Sequence, residues 1–89
     1  MPRAKKTDTI QKDVVDALRK IGCADEVTSG FGQGFPDLLV GLAGRLKMLE
    51  VKSRDGELTE SQITFHHKWF GYVWTVRSAE KAIEVMTQD

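Results

Sequence analysis

Residues 34–40, GFPDLLV, and residues 49–52, LEVK, are the two stretches that decide the fold of this chain. Each is an apolar run with charged residues at one end, which predicts a β-strand. Side chains alternate between the two faces of a strand, so Glu50 and Lys52 point the same way. If the two runs pair as an antiparallel hairpin, Asp37 at the start of the first strand meets Glu50 and Lys52 at the end of the second.

This cluster of two carboxylates and an ammonium group is costly in a small core unless it has a function. The pattern predicts a divalent cation held by Asp37 and Glu50, with the backbone carbonyl of Val51 as a third oxygen and a phosphate as a further ligand. Such a cation polarises a phosphoryl oxygen and lowers the pKa of a bound water. Lys52 would position that water or stabilise the developing negative charge. The cluster therefore predicts phosphodiester hydrolysis, and the simpler alternative is an ion pair at a strand end.

The composition is that of a small folded protein. The chain has 89 residues with 13 basic and 13 acidic side chains, so its formal net charge is zero. This length predicts one domain over residues 1–89, with residues 1–7 as a flexible basic tail. Zero net charge argues against broad coating of nucleic acid or membrane by bulk charge. Cys23 is the only cysteine, which excludes an internal disulfide and fits a reducing cytosol.

Hydrophobic periodicity predicts seven elements. In chain order they are a helix over residues 8–21, a weak strand over 24–28, two strong strands over 37–42 and 45–52, a helix over 59–70, a strand over 72–77 and a last helix over 79–86. Thr7, Thr59 and Ser78 are the predicted helix caps, and Gly22 and Gly71 are the predicted helix ends. Because a helix separates the hairpin from the later strand, that strand is expected to join one of the hairpin strands in parallel.

The segment 29–35, SGFGQGF, carries three glycines at alternate positions, which predicts a flexible loop without regular structure. No Gly-Lys-Ser/Thr follows it, so a nucleotide-binding loop is not expected. Its glycines are expected to let the backbone pass close to a substrate or a partner subunit.

Together with Leu58-Thr59 and Gln62, the two decisive stretches resemble the PD-(D/E)XK nuclease superfamily, and more narrowly its small stand-alone VRR-Nuc domains, often carried by phages and bacteria. The resemblance covers nearly the whole chain. It implies an α/β fold with a restriction-endonuclease-like αβββαβ core, a mixed β-sheet flanked by helices, and here a C-terminal helix in addition. It also implies Mg²⁺ or Mn²⁺ as cofactor and structure-selective cleavage of DNA.

The same resemblance implies partners. Stand-alone members resemble Holliday junction resolvases, so we expect a homodimer whose two-fold axis suits a four-way DNA junction. No apolar run approaches the roughly 20 residues that span a bilayer, and we expect no membrane partner and no nucleotide cofactor. The expected location is the cytoplasm of a bacterial or phage-infected host cell.

By this resemblance Asp37 and Glu50 are metal ligands, Lys52 is the catalytic lysine and Gln62 is an additional active-site side chain. Gln62 has a competing role, because Thr59 and Gln62 have the spacing of a capping box.

The first helix departs from the family pattern, which often places a Glu there as a further acidic ligand. Gln11 is expected to occupy that position, with Asp8 or Asp13 as alternatives. The missing Glu favours a mechanism with one metal ion.

Several further side chains have open roles. The candidates for DNA phosphate contacts are Lys5, Lys6, Arg54 and Lys68, with Arg45, Lys47 and Arg77 as further possibilities. His66 and His67 are candidates for packing, DNA contact or metal binding, although adjacent helical residues point about 100° apart and cannot easily chelate one ion. The aromatic residues of 69–74 are expected in the core, with some at a dimer contact.

Two rival functions remain open on the sequence alone. One is a non-catalytic DNA-binding module on the same fold, its site incomplete because the helix Glu is missing. The other is a structural or protein-interaction domain, in which the acidic cluster is only a satisfied ion pair at a strand end.

Overall fold

The computed structural model describes residues 7–88 and confirms the predicted α/β fold. Its elements are helix α1 (Thr7–Lys20), strands β1 (Ala24–Val27), β2 (Leu38–Leu42) and β3 (Arg45–Val51), helix α2 (Glu60–Lys68), strand β4 (Val73–Val76) and helix α3 (Ala79–Thr87). The glycine-rich segment was expected to be wholly irregular, but a short 3-10 helix forms at Ser29–Phe31. No helix within residues 7–88 has the length and apolar character that a membrane span requires.

The four strands form one sheet in the order β1-β2-β3-β4. The first three are antiparallel neighbours, and β4 lies parallel to β3 after the α2 crossover, as the chain order predicts. Leu38 pairs with Leu49 in the hairpin. Asp37 immediately precedes β2, so this register brings it next to the Glu50 end of β3.

Helices α1 and α3 cover one face of the sheet and form the dry core with it. The spacing of apolar residues predicts one buried stripe on this helix, made of Ile10, Val14, Ala17, Leu18 and Ile21. Three of them, Ile10, Val14 and Leu18, are buried. Val15, which the periodicity places off that stripe, is also buried, whereas Ile21 lies beyond the helix end and is 38% exposed. This face holds most of the apolar burial that stabilises the protein.

Helix α1 ends as predicted at Gly22. The Cys23 N–H donates to the Leu18 carbonyl at 3.0 Å and the Gly22 N–H donates to the Arg19 carbonyl at 3.1 Å. This is a Schellman motif, which requires the left-handed conformation that Gly22 adopts at φ +93°. Thr7, expected at the helix cap, instead lies within the helix.

The second sheet face is covered only by α2, none of whose residues is buried. The predicted capping box is present at its start, where Thr59 is the N-cap. The helix ends at Lys68, two residues before the predicted end. Aromatic residues that were expected in the core remain at the surface instead, namely Trp69, Phe70, Tyr72 and Trp74.

Three basic side chains considered as phosphate contacts instead bind backbone carbonyls. Arg45 Nη1 donates to the Met86 carbonyl at 3.2 Å, and Lys47 Nζ donates to the Val85 carbonyl at 2.6 Å. Cations at a helix C-terminus complement its unpaired carbonyls and its dipole, so these two residues secure α3. Arg77 Nη1 donates to carbonyls of the turn at 53–56.

The β2–β3 turn contains a conformational strain that substitution can relieve. Ala43 and Gly44 connect the paired residues Leu42 and Arg45 with φ of 52° and 80°, which is a type I′ turn. A left-handed alanine costs about 1 kcal/mol. We therefore expect Ala43→Asn to raise the free energy of unfolding by up to about 1 kcal/mol, because asparagine tolerates this conformation.

Urea denaturation measures that gain. The control is Ala24→Asn on the exposed edge strand β1, where we expect no gain because asparagine is unfavourable in strands. An Ala43→Asn variant that is no more stable than the parent would contradict the proposed backbone strain at Ala43.

Candidate active site

Three hydrogen bonds, two from Thr28 and one from Val51, hold the Pro36-Asp37 segment at the start of β2. The Asp37 carbonyl accepts from the Thr28 N–H at 2.8 Å, and the preceding Pro36 carbonyl accepts from the Thr28 hydroxyl at 2.7 Å. Its side-chain Oδ2 accepts from the Val51 N–H of β3 at 2.7 Å. Thr28 thus fixes the backbone of Pro36 and Asp37, while the Asp37 carboxylate links the start of β2 to the end of β3.

Glu50 is the most deeply buried charged residue among those described, at 1% exposure. It lies near the end of β3 on the face that α2 covers. Burial, followed by the hydrogen bond and charge of the adjacent Asp37 carboxyl, raises the pKa of Glu50 to about 8, and the Lys52 ammonium opposes the rise. The two carboxyl groups therefore share one small site, with the lysine close by.

Gln62 performs both of the roles that the sequence leaves open. Its Oε1 accepts from the Thr59 N–H at 2.8 Å, which completes the capping box of α2. Its Nε2 donates to Glu50 Oε2 in a long hydrogen bond of 3.4 Å. One side chain thus fixes the start of the helix and links it to the carboxyl pair, because the two ends of a primary amide are an acceptor and a donor.

His66, one helical turn after Gln62, also faces this site. Its Nε2 lies 4.0 Å from Glu50 Oε1. Burial, and then the charge of Lys52, lower the pKa of His66, so its imidazole is neutral near neutral pH. His66 and His67 do not act as a pair, since His67 is exposed.

Val51 contributes its backbone to the site. The Lys52 N–H donates toward β4, to the Val76 carbonyl at 3.0 Å, so the backbone groups of the preceding Val51 face β2. The register continues there to Pro36, which has no N–H to donate to the Val51 carbonyl. This arrangement suits a carbonyl oxygen that serves as a ligand, and that role stays a prediction.

Gly34 sets the distance between the glycine-rich loop and α2. It has φ +77°, and a Cβ built on it would overlap the Ser61 carbonyl and lie 2.9 Å from the Gln62 nitrogen. The glycine was expected to permit approach to a substrate or a partner subunit, but it permits approach to α2 of the same chain. The loop and the helix that carries Gln62 and His66 are thereby packed together.

The remaining predicted site residues lie elsewhere or outside the described range. Gln11 is half-buried on α1 and lines a groove with Val27 and Ser29, and neither Asp37 nor Glu50 lines that groove. Its neighbours Asp8 and Asp16 line the same groove. No contact among the described residues joins Gln11 to Asp37 or Glu50, so its role as a ligand stays a prediction.

The proposed DNA contacts are scattered. Lys5 and Lys6 lie outside the described residues. Arg54 is exposed and lies 3.7 Å from Asp55. Lys68 is exposed at the end of α2, where it lines a groove with Phe31 and Phe65.

Two residues of the site, Thr28 and His66, were not predicted as site residues from the sequence. Thr28 follows a weak strand, and nothing local distinguishes it from other surface threonines. His66 was considered together with His67, although its spacing of four residues from Gln62 places both on one helix face. That spacing is the signal that could have found it.

The fold and this geometry can be compared with known proteins. The structure is similar to a solved structure described as "VRR_NUC domain", with a TM-score of 0.74 and 27% sequence identity, over 92% of this chain and 95% of the other. This chain has the fold of a VRR-Nuc domain. No family model and no curated protein matches the sequence.

The VRR-Nuc similarity confirms the resemblance seen in the sequence and supports a nuclease-family domain. It extends over 92% of this chain.

The close packing of the glycine-rich loop of this VRR-Nuc fold against α2 leads to a stability prediction for Gly34. Gly34→Ala should lower the free energy of unfolding by about 3 kcal/mol or more, since strain at positive φ adds to overlap with the backbone of Ser61. Gly22→Ala is the matched control, because Gly22 also has positive φ but a Cβ added there would meet no atom within 4 Å.

We expect Gly22→Ala to cost about 1 kcal/mol, from strain alone. Chemical denaturation of the two variants gives the difference. Equal losses in both would mean that the loop does not pack against α2 in solution.

The raised pKa of Glu50 leads to a pH prediction for the metal-free protein. The folded state holds a proton at Glu50 up to about pH 8, whereas the unfolded chain releases it near the ordinary pKa of about 4.3. The folded state thus binds more protons between these values. Its stability should fall as pH rises from about 4.3 through about 8.

Denaturation in EDTA between pH 5 and pH 9 tests this effect in the parent and in Glu50→Gln, which cannot ionise. His66 titrates in both proteins, so the difference between the two curves isolates Glu50. Parallel curves would contradict the raised pKa.

Proposed function

We propose that this domain is a metal-dependent, structure-selective DNA endonuclease that hydrolyses phosphodiester bonds with Mg²⁺ or Mn²⁺. The observation that carries the proposal is the convergence of Asp37, Glu50, Lys52 and Gln62 at one edge of the sheet. The buried Glu50 carboxyl, the half-buried Asp37 carboxyl and a nearby ammonium are poor stabilisers of a small protein. They are the donor set that a hard cation and a phosphate require.

The site suits one hydrated cation better than a closed protein cage. Within residues 7–88 no group of three or more His, Cys, Asp or Glu side chains is arranged to hold a metal ion. Mg²⁺ and Mn²⁺ accept sites with few protein ligands, and Mg²⁺ commonly keeps several waters and binds substrate phosphate. Asp37, Glu50 and the Val51 carbonyl would hold the ion. Burial, followed by the hydrogen bond and charge of Asp37, raises the pKa of Glu50, and a bound cation would offset the negative charge at this buried position.

Each side chain then has a distinct task. When bound, the cation supplies Lewis-acid stabilisation of charge on the phosphate. Lys52 places a positive charge where negative charge develops during attack. Asp37 keeps β2 and β3 in register through the Val51 N–H, and Gln62 orients the Glu50 carboxyl from the helix side. The site is shielded on that side by α2.

We propose that the substrate is branched DNA, of the four-way junction type, in a bacterial or phage-infected cell. The nuclease-family fold supports a nucleic-acid substrate. Zero net charge argues against tight binding to any duplex through bulk charge, and favours recognition of a particular shape. Exposed Arg54 and Lys68, together with Lys5 and Lys6, are the proposed phosphate contacts.

A homodimer is the proposed assembly. An apolar hollow of about 310 Å³ lies on the second sheet face, lined by Phe35, Leu39, Leu46, Lys47, Met48, Trp69 and Tyr72. Leu46 is 64% exposed, Tyr72 is 60% exposed and the nearby Phe70 is 88% exposed. A monomer of this size seldom leaves so many large apolar side chains in water, and a second copy would cover them.

The alternative is a non-catalytic DNA-binding module on the same fold. One observation favours it: the described part of α1 contains no Glu, and Gln11 lines a groove that neither Asp37 nor Glu50 lines. Cleavage assays separate the two functions.

The catalytic proposal is tested on linear, flap and four-way junction DNA with Mg²⁺ and Mn²⁺ at fixed ionic strength. We expect the junction to be cut fastest, and Lys52→Met to lower the single-turnover rate by about 100-fold or more, because it removes a transition-state charge. Asp37→Asn should abolish cleavage while it keeps an acceptor for the Val51 N–H.

Lys81→Met is the control for loss of a lysine, since Lys81 lies on α3 in a surface pair with Glu84. It should cut at the parental rate. A parent protein that binds junctions but cuts none with any divalent ion would support the non-catalytic module instead.

The dimer proposal is tested by sedimentation equilibrium. Leu46→Glu and Tyr72→Glu should shift the parental dimer to monomer, because each would bury a carboxylate in the apolar contact. Val27→Glu is the control, since Val27 is 58% exposed but lies on the opposite edge strand. Dissociation by Val27→Glu alone would place the contact at β1.

A further inference from the structure

Two buried polar atoms in the carboxyl site face each other without a partner. Glu50 Oε1 and His66 Nε2 are 4.0 Å apart, which is beyond hydrogen-bond range. Each is shielded from solvent and has no hydrogen-bond partner among the described residues. Folded proteins seldom leave such atoms unsatisfied, so this pair requires an explanation.

Two other carboxyl oxygens of the site already have hydrogen-bond partners. Glu50 Oε2 accepts from Gln62 Nε2, and Asp37 Oδ2 accepts from the Val51 N–H. Oε1 is therefore the carboxyl oxygen that His66 can reach. Among the described residues no three His, Cys, Asp or Glu side chains are arranged to hold a metal ion, so His66 does not complete such a group with Asp37 and Glu50.

We propose that His66 is a positioning residue, which donates its Nε2–H to Glu50 Oε1 when the cation is bound. The proposal rests on the metal-dependent function proposed above. A neutral imidazole donates from Nε2 in one of its two tautomers. The contact must shorten by about 1 Å to become a hydrogen bond.

Such a hydrogen bond would fix the orientation of the Glu50 carboxylate from the α2 side. Groups that hydrogen-bond a metal-binding carboxylate set its orientation, and their loss commonly weakens metal binding by about 10–100-fold. Here Gln62 would hold one carboxyl oxygen and His66 the other, both from the same face of α2. The helix would thus orient Glu50 toward Asp37 without itself supplying a ligand.

The chain offers a matched control in His67. It is the next residue on α2, but successive helical residues point about 100° apart. His67 is exposed and makes no contact with Glu50 among those described. Replacement of either histidine changes the helix composition equally, so a difference between the variants reports on the Glu50 contact.

The test is Mn²⁺ affinity, measured without DNA by the electron paramagnetic resonance signal of the free ion. We expect His66→Leu to weaken Mn²⁺ binding by about 10–100-fold. His66→Gln should restore most of the affinity, because its amide nitrogen can donate to the same oxygen. His67→Leu should bind as the parent does.

Thermal unfolding in EDTA separates positioning from structural support. His66→Leu should not lower the melting temperature of the metal-free protein, because His66 Nε2 forms no hydrogen bond there. Unchanged Mn²⁺ affinity in His66→Leu would overturn the proposal, as would equal weakening in His66→Leu and His66→Gln. If the metal-free protein is destabilised and Mn²⁺ affinity is lost in both His66 variants, the role is structural and the proposal is also wrong.

Failure of the proposed function gives a different result. A parent protein that binds no Mn²⁺ would refute the metal-dependent function and, with it, the role of His66. A parent that binds Mn²⁺ and cuts DNA, with His66→Leu binding equally well, would refute the role of His66 alone.

Discussion

The burial of the Glu50 carboxyl beside that of Asp37 is the constraint on which the rest of the structure depends. Burial of the Glu50 carboxyl, followed by the hydrogen bond and charge of Asp37, raises the pKa of Glu50 to about 8. The surrounding groups limit the cost: the Val51 N–H binds one carboxyl group, the Gln62 amide binds the other, and the Lys52 ammonium lies close by. A cation would complete this neutralisation.

The same contacts position α2. This helix buries none of its residues, so apolar packing alone does not determine its place on the sheet. Gly34 allows the loop to approach its first turn, and Gln62 joins its capping box to Glu50. The contacts that assemble the carboxyl site are therefore the same contacts that place α2 on the sheet. A change at either should disturb both.

The two faces of the sheet differ in what they carry. One face is closed by α1 and α3 into a dry core, which supplies the stability of the domain. The other carries the carboxyl site and, beside it, the exposed apolar surface around Leu46 and Tyr72. Because the proposed active site and the proposed dimer contact share this face, a second copy would set the distance between two such sites. A four-way junction presents its strands in pairs related by the same symmetry.

The sequence by itself determined the elements, the hairpin and the meeting of Asp37 with Glu50 and Lys52. These follow from local rules, namely the alternation of side chains along strands, the spacing of apolar residues along helices and the two-residue turn. Only the tertiary structure decided how α2 and β1 pack against that hairpin. No local pattern encodes contacts between residues far apart in the chain. Such contacts determine the hydrogen bonds of Thr28 to the Pro36-Asp37 backbone, the approach of Gly34 to Ser61, the double role of Gln62 and the position of His66.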